Sequence, residues 1–138
     1  MIGVLLVTHS RLGEELIKTA EFIVGRLAQS RSLSLDPGQS VESLRSQIQE
    51  AIRSVDDGDG VIILVDMLGG TPSNLSLSFL EQGQVEVITG ANLPMLLKLS
   101  QRKEGMVLGN LAEEAMEAGL RSISLASKVL YQKPNQKQ

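Results

Sequence analysis

The sequence predicts an α/β fold, a doubly wound parallel sheet in strand order 2-1-3-4 with helices on both faces. Three observations predict it. Short, wholly apolar runs such as Ile2–Val7 and Val61–Val65 have the look of strands buried on both faces. Between such runs, apolar residues recur at three- and four-residue steps, which marks one face of a helix. The two kinds of segment alternate through short loops, and parallel neighbours need a crossover of that kind. At 138 residues the chain has the length of one ordinary domain, expected over residues 1–130, with a flexible polar tail at 131–138.

The elements follow in order. After the strand Ile2–Val7, the residues Leu12, Leu16, Ile17, Ala20, Ile23, Val24 and Leu27 form one helical stripe. Leu33 and Leu35 mark a second strand, closed by the turn Asp36-Pro37-Gly38. Ser40 is placed to cap a second helix carrying Val41, Leu44, Ile48, Ala51, Ile52 and Val55, which the cluster Asp56-Asp57-Gly58-Asp59-Gly60 ends. Val61–Val65 is the third strand. Thr71 as N-cap and Pro72 at the first helical position then open a helix running to about Leu80. Val85–Ile88 is the fourth strand, and Pro94 opens a helix to about Gln101. Asn110 with Glu113 resembles a capping box for a helix ending near Gly119, and Ser122–Leu125 is a candidate last strand. In the 2-1-3-4 order strands 1 and 3 lie side by side in a three-layer, flavodoxin-like arrangement. Their helices leave on opposite faces, and a ligand crevice opens at their carboxyl ends.

Composition excludes several function classes. The chain is 42% hydrophobic but only 2% aromatic, so its core is aliphatic and few side chains are available for bases to stack on. With a net charge of −3 and no basic run, nucleic-acid binding is not expected. The absence of Cys removes disulfides, thiolate metal sites and a cysteine nucleophile. The apolar N-terminus lacks a basic flank and is interrupted by Thr8, His9 and Ser10, too short for a signal or membrane span, which points to a cytoplasmic protein.

Two polar residues fall just past the ends of the neighbouring strands 1 and 3, His9 and Asp66. His9 is the single histidine of the chain. A carboxylate bonded to one imidazole nitrogen selects the tautomer and leaves the other nitrogen as a nucleophile, and Asp66 is placed to supply that bond. The plainer alternative is a histidine that only satisfies a loop backbone group. The loop Gly69-Gly70-Thr71-Pro72 begins three residues after Asp66. Its glycines permit a sharp turn, and amides at the start of a helix favour an anion, so a phosphoryl group on His9 would have a place to rest. Taken alone, that string equally describes an ordinary strand-to-helix turn. Thr8 and Ser10 offer further hydroxyls beside His9. Arg11 more commonly serves as a solvated charge, and Asn92, after strand 4, as a turn or cap residue. No second histidine is available for a metal, no Gly-x-Gly-x-x-Gly follows strand 1, and no P-loop lysine is present. No metal or cofactor is therefore expected.

Three blocks carry a resemblance: Gly3-Val4-Leu5-Leu6-Val7-Thr8-His9-Ser10, Leu64-Val65-Asp66-Met67-Leu68-Gly69-Gly70-Thr71-Pro72-Ser73-Asn74, and Thr89-Gly90-Ala91-Asn92-Leu93-Pro94-Met95-Leu96. Together and in this order they resemble the mannose-family enzyme IIA domain of the bacterial phosphoenolpyruvate-dependent sugar phosphotransferase system. The resemblance implies a phosphocarrier whose strand-end histidine, matching His9, accepts a phosphoryl group from phospho-HPr on its ε nitrogen and passes it to a IIB domain. It implies that Asp66 bonds that histidine and that Thr71 helps to bind phosphate. It also implies a homodimer in which a fifth, antiparallel strand is exchanged, with 122–125 as the candidate segment, and contact with the membrane only through transporter components. The phosphocarrier domain of dihydroxyacetone kinases shares the histidine but matches less well after strand 3. Because the chain stops after Lys133-Pro134-Asn135-Gln136-Lys137-Gln138 without a IIB domain, a lone or excised IIA is expected. The same histidine would also serve a regulatory phosphoprotein read by another protein. A third reading, of another class, is a small-ligand binder using the crevice non-covalently.

Overall fold

The computed structural model describes residues 1–131. Four parallel strands form one sheet: β1 (Gly3–His9), β2 (Ser30–Leu35), β3 (Val61–Val65) and β4 (Val85–Thr89), in the order β2-β1-β3-β4. Six helices accompany them: α1 (Leu12–Val24), α2 (Val41–Val55), α3 (Thr71–Leu77), α4 (Leu93–Leu99), α5 (Leu108–Arg121) and α6 (Ala126–Leu130). The predicted sheet and its order are those observed.

Alternation along the strands divides the core into two layers. Val4, Leu6, Ile62, Leu64 and Ile88 face α1, α4 and α5, meeting Ala20, Leu96, Leu99, Leu111 and Ala115. Leu5, Val7, Ile63 and Val65 face the other way, onto Leu44, Ile48 and Ala51 of α2 and Leu75 of α3. Because successive strand side chains point to opposite faces, a central strand covered on both sides must be apolar at every position. β3 is buried throughout, as is β1 from Gly3 to Thr8. A one-residue slip would exchange the two layers wholesale, so the packing enforces the register. That register sets Val7 beside Val65 and leaves His9 and Asp66 just beyond the last β1–β3 pair.

Close approach is built in at Gly3. A Cβ there would lie 2.3 Å from the Val55 carbonyl oxygen, so the end of α2 reaches β1 only because the side chain is hydrogen. At the same, amino end of the sheet, the buried Arg102 guanidinium donates to the carbonyls of Ile2 at 2.6 Å, Ala28 at 2.6 Å and Leu99 at 3.0 Å. It ties the start of β1 to the end of α4 and to the segment before β2.

Several boundaries differ from expectation. Ser40 caps α2 as predicted, its hydroxyl accepting the Ser43 amide at 3.1 Å. Thr71, by contrast, is the first helical residue; Gly70 occupies the N-cap position and makes no side-chain bond. Asn110 lies inside α5, whose N-cap is Val107, so the capping box does not form. The first helix stops at Val24 before the positive-φ Gly25, and Leu27 buries itself from the following loop. α3 ends at Leu77, short of Leu80. Asp57 and Asp59, in the cluster that ends α2, also hold the Met1 amine, at 2.8 and 2.7 Å.

The largest correction concerns Ser122–Leu125. It forms no strand in the single chain; Ser122 and Ile123 close a turn onto the end of α5, and the unforeseen α6 follows. The physical reason is local. An extended segment needs a hydrogen-bond partner, and among the described residues Ser122–Leu125 pairs with no strand. Beyond Tyr131, the tail expected at 131–138 lies outside the described residues.

From the Gly3 contact we expect Gly3→Ala to lower the unfolding free energy by about 1–3 kcal/mol, the usual cost of overpacking a tight core. Urea unfolding at neutral pH measures it, and an unchanged midpoint would show that α2 and β1 can separate at no cost.

Candidate functional site

β1 ends on His9, and Asp66 follows β3 directly, so the neighbouring parallel strands deliver both residues to one end of the sheet. A single oxygen of Asp66, Oδ2, accepts the His9 backbone amide at 2.9 Å and faces His9 Nδ1 at 2.9 Å. With the carboxylate ionised, Nδ1 is the protonated nitrogen and Nε2 carries the free lone pair. The imidazole is 52% exposed and the carboxylate 11%. Burial acts to raise the Asp66 pKa. The amide and ring donors of His9 and the coulombic pull of its imidazole outweigh burial and hold the pKa below the ordinary 3.8. The second oxygen, Oδ1, is buried and takes no hydrogen bond from the described residues.

The glycine loop comes to the free side of the ring. Gly69 and Gly70 both have positive φ, at +93° and +87°, a conformation that costs glycine little. A Cβ on Gly70 would stand 3.2 Å from both Nε2 and Cε1 of His9, so a larger residue would press on the nitrogen that carries the lone pair. Thr71 is exposed, at the start of α3. Ser10 also has positive φ, at +52°, which costs an L-residue about 1 kcal/mol and marks a tightly held turn.

His9, Ser10, Thr71 and Pro72 share a cleft of about 580 Å³. Its far wall comes from the β2–α2 connection, through Leu35, Pro37, Val41 and Leu44, none of which was singled out for function from the sequence. The available signal was the Asp36-Pro37-Gly38 turn, since in a parallel sheet every strand-to-helix turn lies at the carboxyl end. Met67 and Leu68 are exposed in the loop between β3 and α3.

Other expected neighbours go elsewhere. Thr8 is fully buried, and its Oγ1 accepts the Gly13 amide at 2.9 Å, so it faces α1 and not the cleft. Strand alternation is the reason: His9 and Thr8 are consecutive and point to opposite faces. Arg11 pairs with Glu14 at 3.0 Å on the surface. Asn92 is a cap residue, its Oδ1 accepting the Met95 amide at 3.1 Å while its Nδ2 donates to the Gly119 carbonyl at 3.3 Å. Thr89 lines a separate groove of about 510 Å³ between β4 and α5. No helix among the described residues is long and apolar enough to cross a membrane.

The chain is similar to known proteins. The family model EIIA-man, described as the PTS system fructose IIA component, matches residues 3–116. The mannose-specific EIIAB component of the phosphotransferase system of Escherichia coli K12 is 32% identical over 99% of this chain, which spans only 42% of that protein's length. The fructose-specific EIIA component of Bacillus subtilis 168 is 26% identical over 94% of this chain and 90% of its own. Among solved structures, the PTS IIA protein associated with the fucose utilization operon of Streptococcus pneumoniae aligns with a TM-score of 0.81. It is 28% identical, over 93% of this chain and 95% of that one. The model match from the first strand into α5, which includes both members of the histidine–aspartate pair, establishes that the chain belongs to the EIIA-man family of phosphotransferase-system IIA components.

Proposed function

We propose that the chain is a phosphocarrier in which His9 Nε2 accepts a phosphoryl group from phospho-HPr and passes it to a IIB component for sugar uptake and phosphorylation. The observation that carries this reading is the 2.9 Å contact between Asp66 Oδ2 and His9 Nδ1, which leaves Nε2 as the nucleophile. In the first transfer the Nε2 lone pair forms a bond to phosphorus, the donor's P–N bond breaks, and that electron pair returns to the donor imidazole. His9 keeps its proton on Nδ1, so the phosphorylated ring bears positive charge beside the Asp66 carboxylate. The second transfer reverses the roles, with the IIB nucleophile attacking phosphorus and His9 leaving as a neutral imidazole.

The phosphoryl oxygens would rest against the Gly69–Gly70 turn, the Thr71 hydroxyl and Ser10. An exposed imidazole, with the exposed Met67 and Leu68 in the loop that follows Asp66, suits a group handed between two proteins. The reaction is a phosphotransfer between soluble partners in the cytoplasm, with the membrane reached only through transporter components.

The dimer belongs to the same reading. The outer edge of β4 lies beside the groove against α5, and Ile123 and Leu125, two residues apart, are 74% and 62% exposed. A second copy's Ser122–Leu125, added antiparallel to β4, would satisfy that edge and cover both side chains.

Four outcomes are expected. With phosphoenolpyruvate, enzyme I and HPr, intact-mass measurement should find one added phosphoryl group on the wild type and none on His9→Ala; an adduct on that variant would move the nucleophile elsewhere. Asp66→Asn should fold yet transfer about 100-fold more slowly in single turnovers, within the range set by a lost orienting partner. Its acid behaviour follows from linkage. The depressed Asp66 pKa contributes stability above 3.8 that is lost as pH falls through the folded value. Below about pH 4 the wild type should therefore lose unfolding free energy more steeply than Asp66→Asn, and parallel curves would contradict the assignment. Light scattering should give the wild type twice the chain mass and an Ile123→Asp, Leu125→Asp double variant the single mass.

A further inference from the structure

We propose that Thr8 is a positioning residue for phosphoryl transfer, acting through the turn that carries His9. The proposal rests on the phosphocarrier reading of His9 and adds to it a residue that never faces the cleft. α1 begins at Leu12, and its N-cap residue, Arg11, makes no side-chain capping bond. The missing acceptor comes instead from inside β1, where Thr8 Oγ1 takes the amide of Gly13, the second helical residue, at 2.9 Å. Both residues are buried, so water does not compete for the bond.

The contact closes a loop from Thr8 to Gly13 whose interior is His9, Ser10, Arg11 and Leu12. Its tightness depends on Gly13. A Cβ there would lie 3.1 Å from Leu6 Cβ and 3.2 Å from Thr8 Oγ1, so the helix sits on the strand as closely as a hydrogen side chain allows. Ser10 adopts φ +52° within that loop.

The consequence for chemistry lies in the double acceptance by Asp66. One oxygen holds the His9 amide and the His9 ring together, each at 2.9 Å. Both bonds survive only while the His9 backbone stays at its present angle to β3. A turn free to rock would lengthen one bond or the other, loosen the tautomer and swing Nε2 away from Gly70. Thr8, hydrogen-bonded on the opposite face of the strand, is the anchor against that motion.

The test compares Thr8→Val, which keeps the shape and removes the acceptor, with Thr8→Ser, which keeps the acceptor. Two measurements are made on each full-length protein: ¹⁵N chemical shifts of the His9 ring nitrogens, and single-turnover transfer from phospho-HPr over a range of donor concentrations. We expect Thr8→Ser to match the wild type within about twofold. For Thr8→Val we expect about a tenfold fall in the rate at saturating donor with the half-saturating concentration unchanged, since small misplacements of a reacting group are costly. The ring signals should move from distinct protonated Nδ1 and bare Nε2 values toward an averaged pair. Wild-type spectra and rate in Thr8→Val would overturn the proposal, as would a rise in half-saturation alone. If Thr8→Val does not fold, Thr8→Ala is expected to show the same changes, and failure of both to fold would make Thr8 purely structural. A wild type that accepts no phosphoryl group would sink the phosphocarrier reading, while the nitrogen spectra would still decide Thr8.

Discussion

One carboxylate oxygen organises the site. Asp66 Oδ2 receives a backbone amide and a ring nitrogen from the same residue, joining the end of β1 to the end of β3 at the point where the sheet stops. A side chain alone could satisfy a histidine in many geometries. Holding the backbone of that histidine with the same atom leaves far fewer, because amide and ring must reach a common acceptor at once. The imidazole is thereby aimed without being buried, and more than half of it stays open to solvent.

That arrangement depends on packing some distance away. The strand ends are aligned only because β1 and β3 run parallel in a defined register, and the register is enforced by two apolar layers that a slip would exchange. Glycines set the spacing where helices must come close, Gly3 under the end of α2 and Gly13 against Leu6 and Thr8. Arg102 binds the amino end of the sheet through backbone carbonyls, as Asp66 binds the carboxyl end through an amide. The two ends are thus held by polar side chains of opposite charge, and the middle by the backbone ladder between two apolar layers.

The division between rigid and exposed parts follows the division of tasks. Core positions leave little freedom, whereas the apolar side chains left open include Met67 and Leu68 in the loop that follows Asp66 and Ile123, Leu125, Val129 and Leu130 in the C-terminal segment after α5. Open apolar surface of this kind is costly to keep in water unless something covers it for part of the time. In the phosphocarrier reading the first group meets successive protein partners and the second a further copy of the chain.

The sequence alone was enough for the sheet and for the pair at its heart. Runs such as Val61–Val65 are apolar at every position because both faces are covered, and that pattern has few readings besides a central parallel strand. With the strand order, His9 and Asp66 then had to emerge together. The glycine pair was legible for the same reason, since it follows β3 within reach of the ring. What the tertiary structure decided was orientation. Thr8 and His9 are adjacent in sequence, yet the pleat turns one into the core against Gly13 and the other out to the cleft, and residue type carries no sign of which way each faces. The cleft wall at Leu35, Pro37 and Val41 arises from a distant segment, visible only once β2 is placed beside β1. The segment Ser122–Leu125 has a strand's alternation but pairs with no strand among the described residues, because an extended segment acquires its structure from a neighbour and not from its own residues.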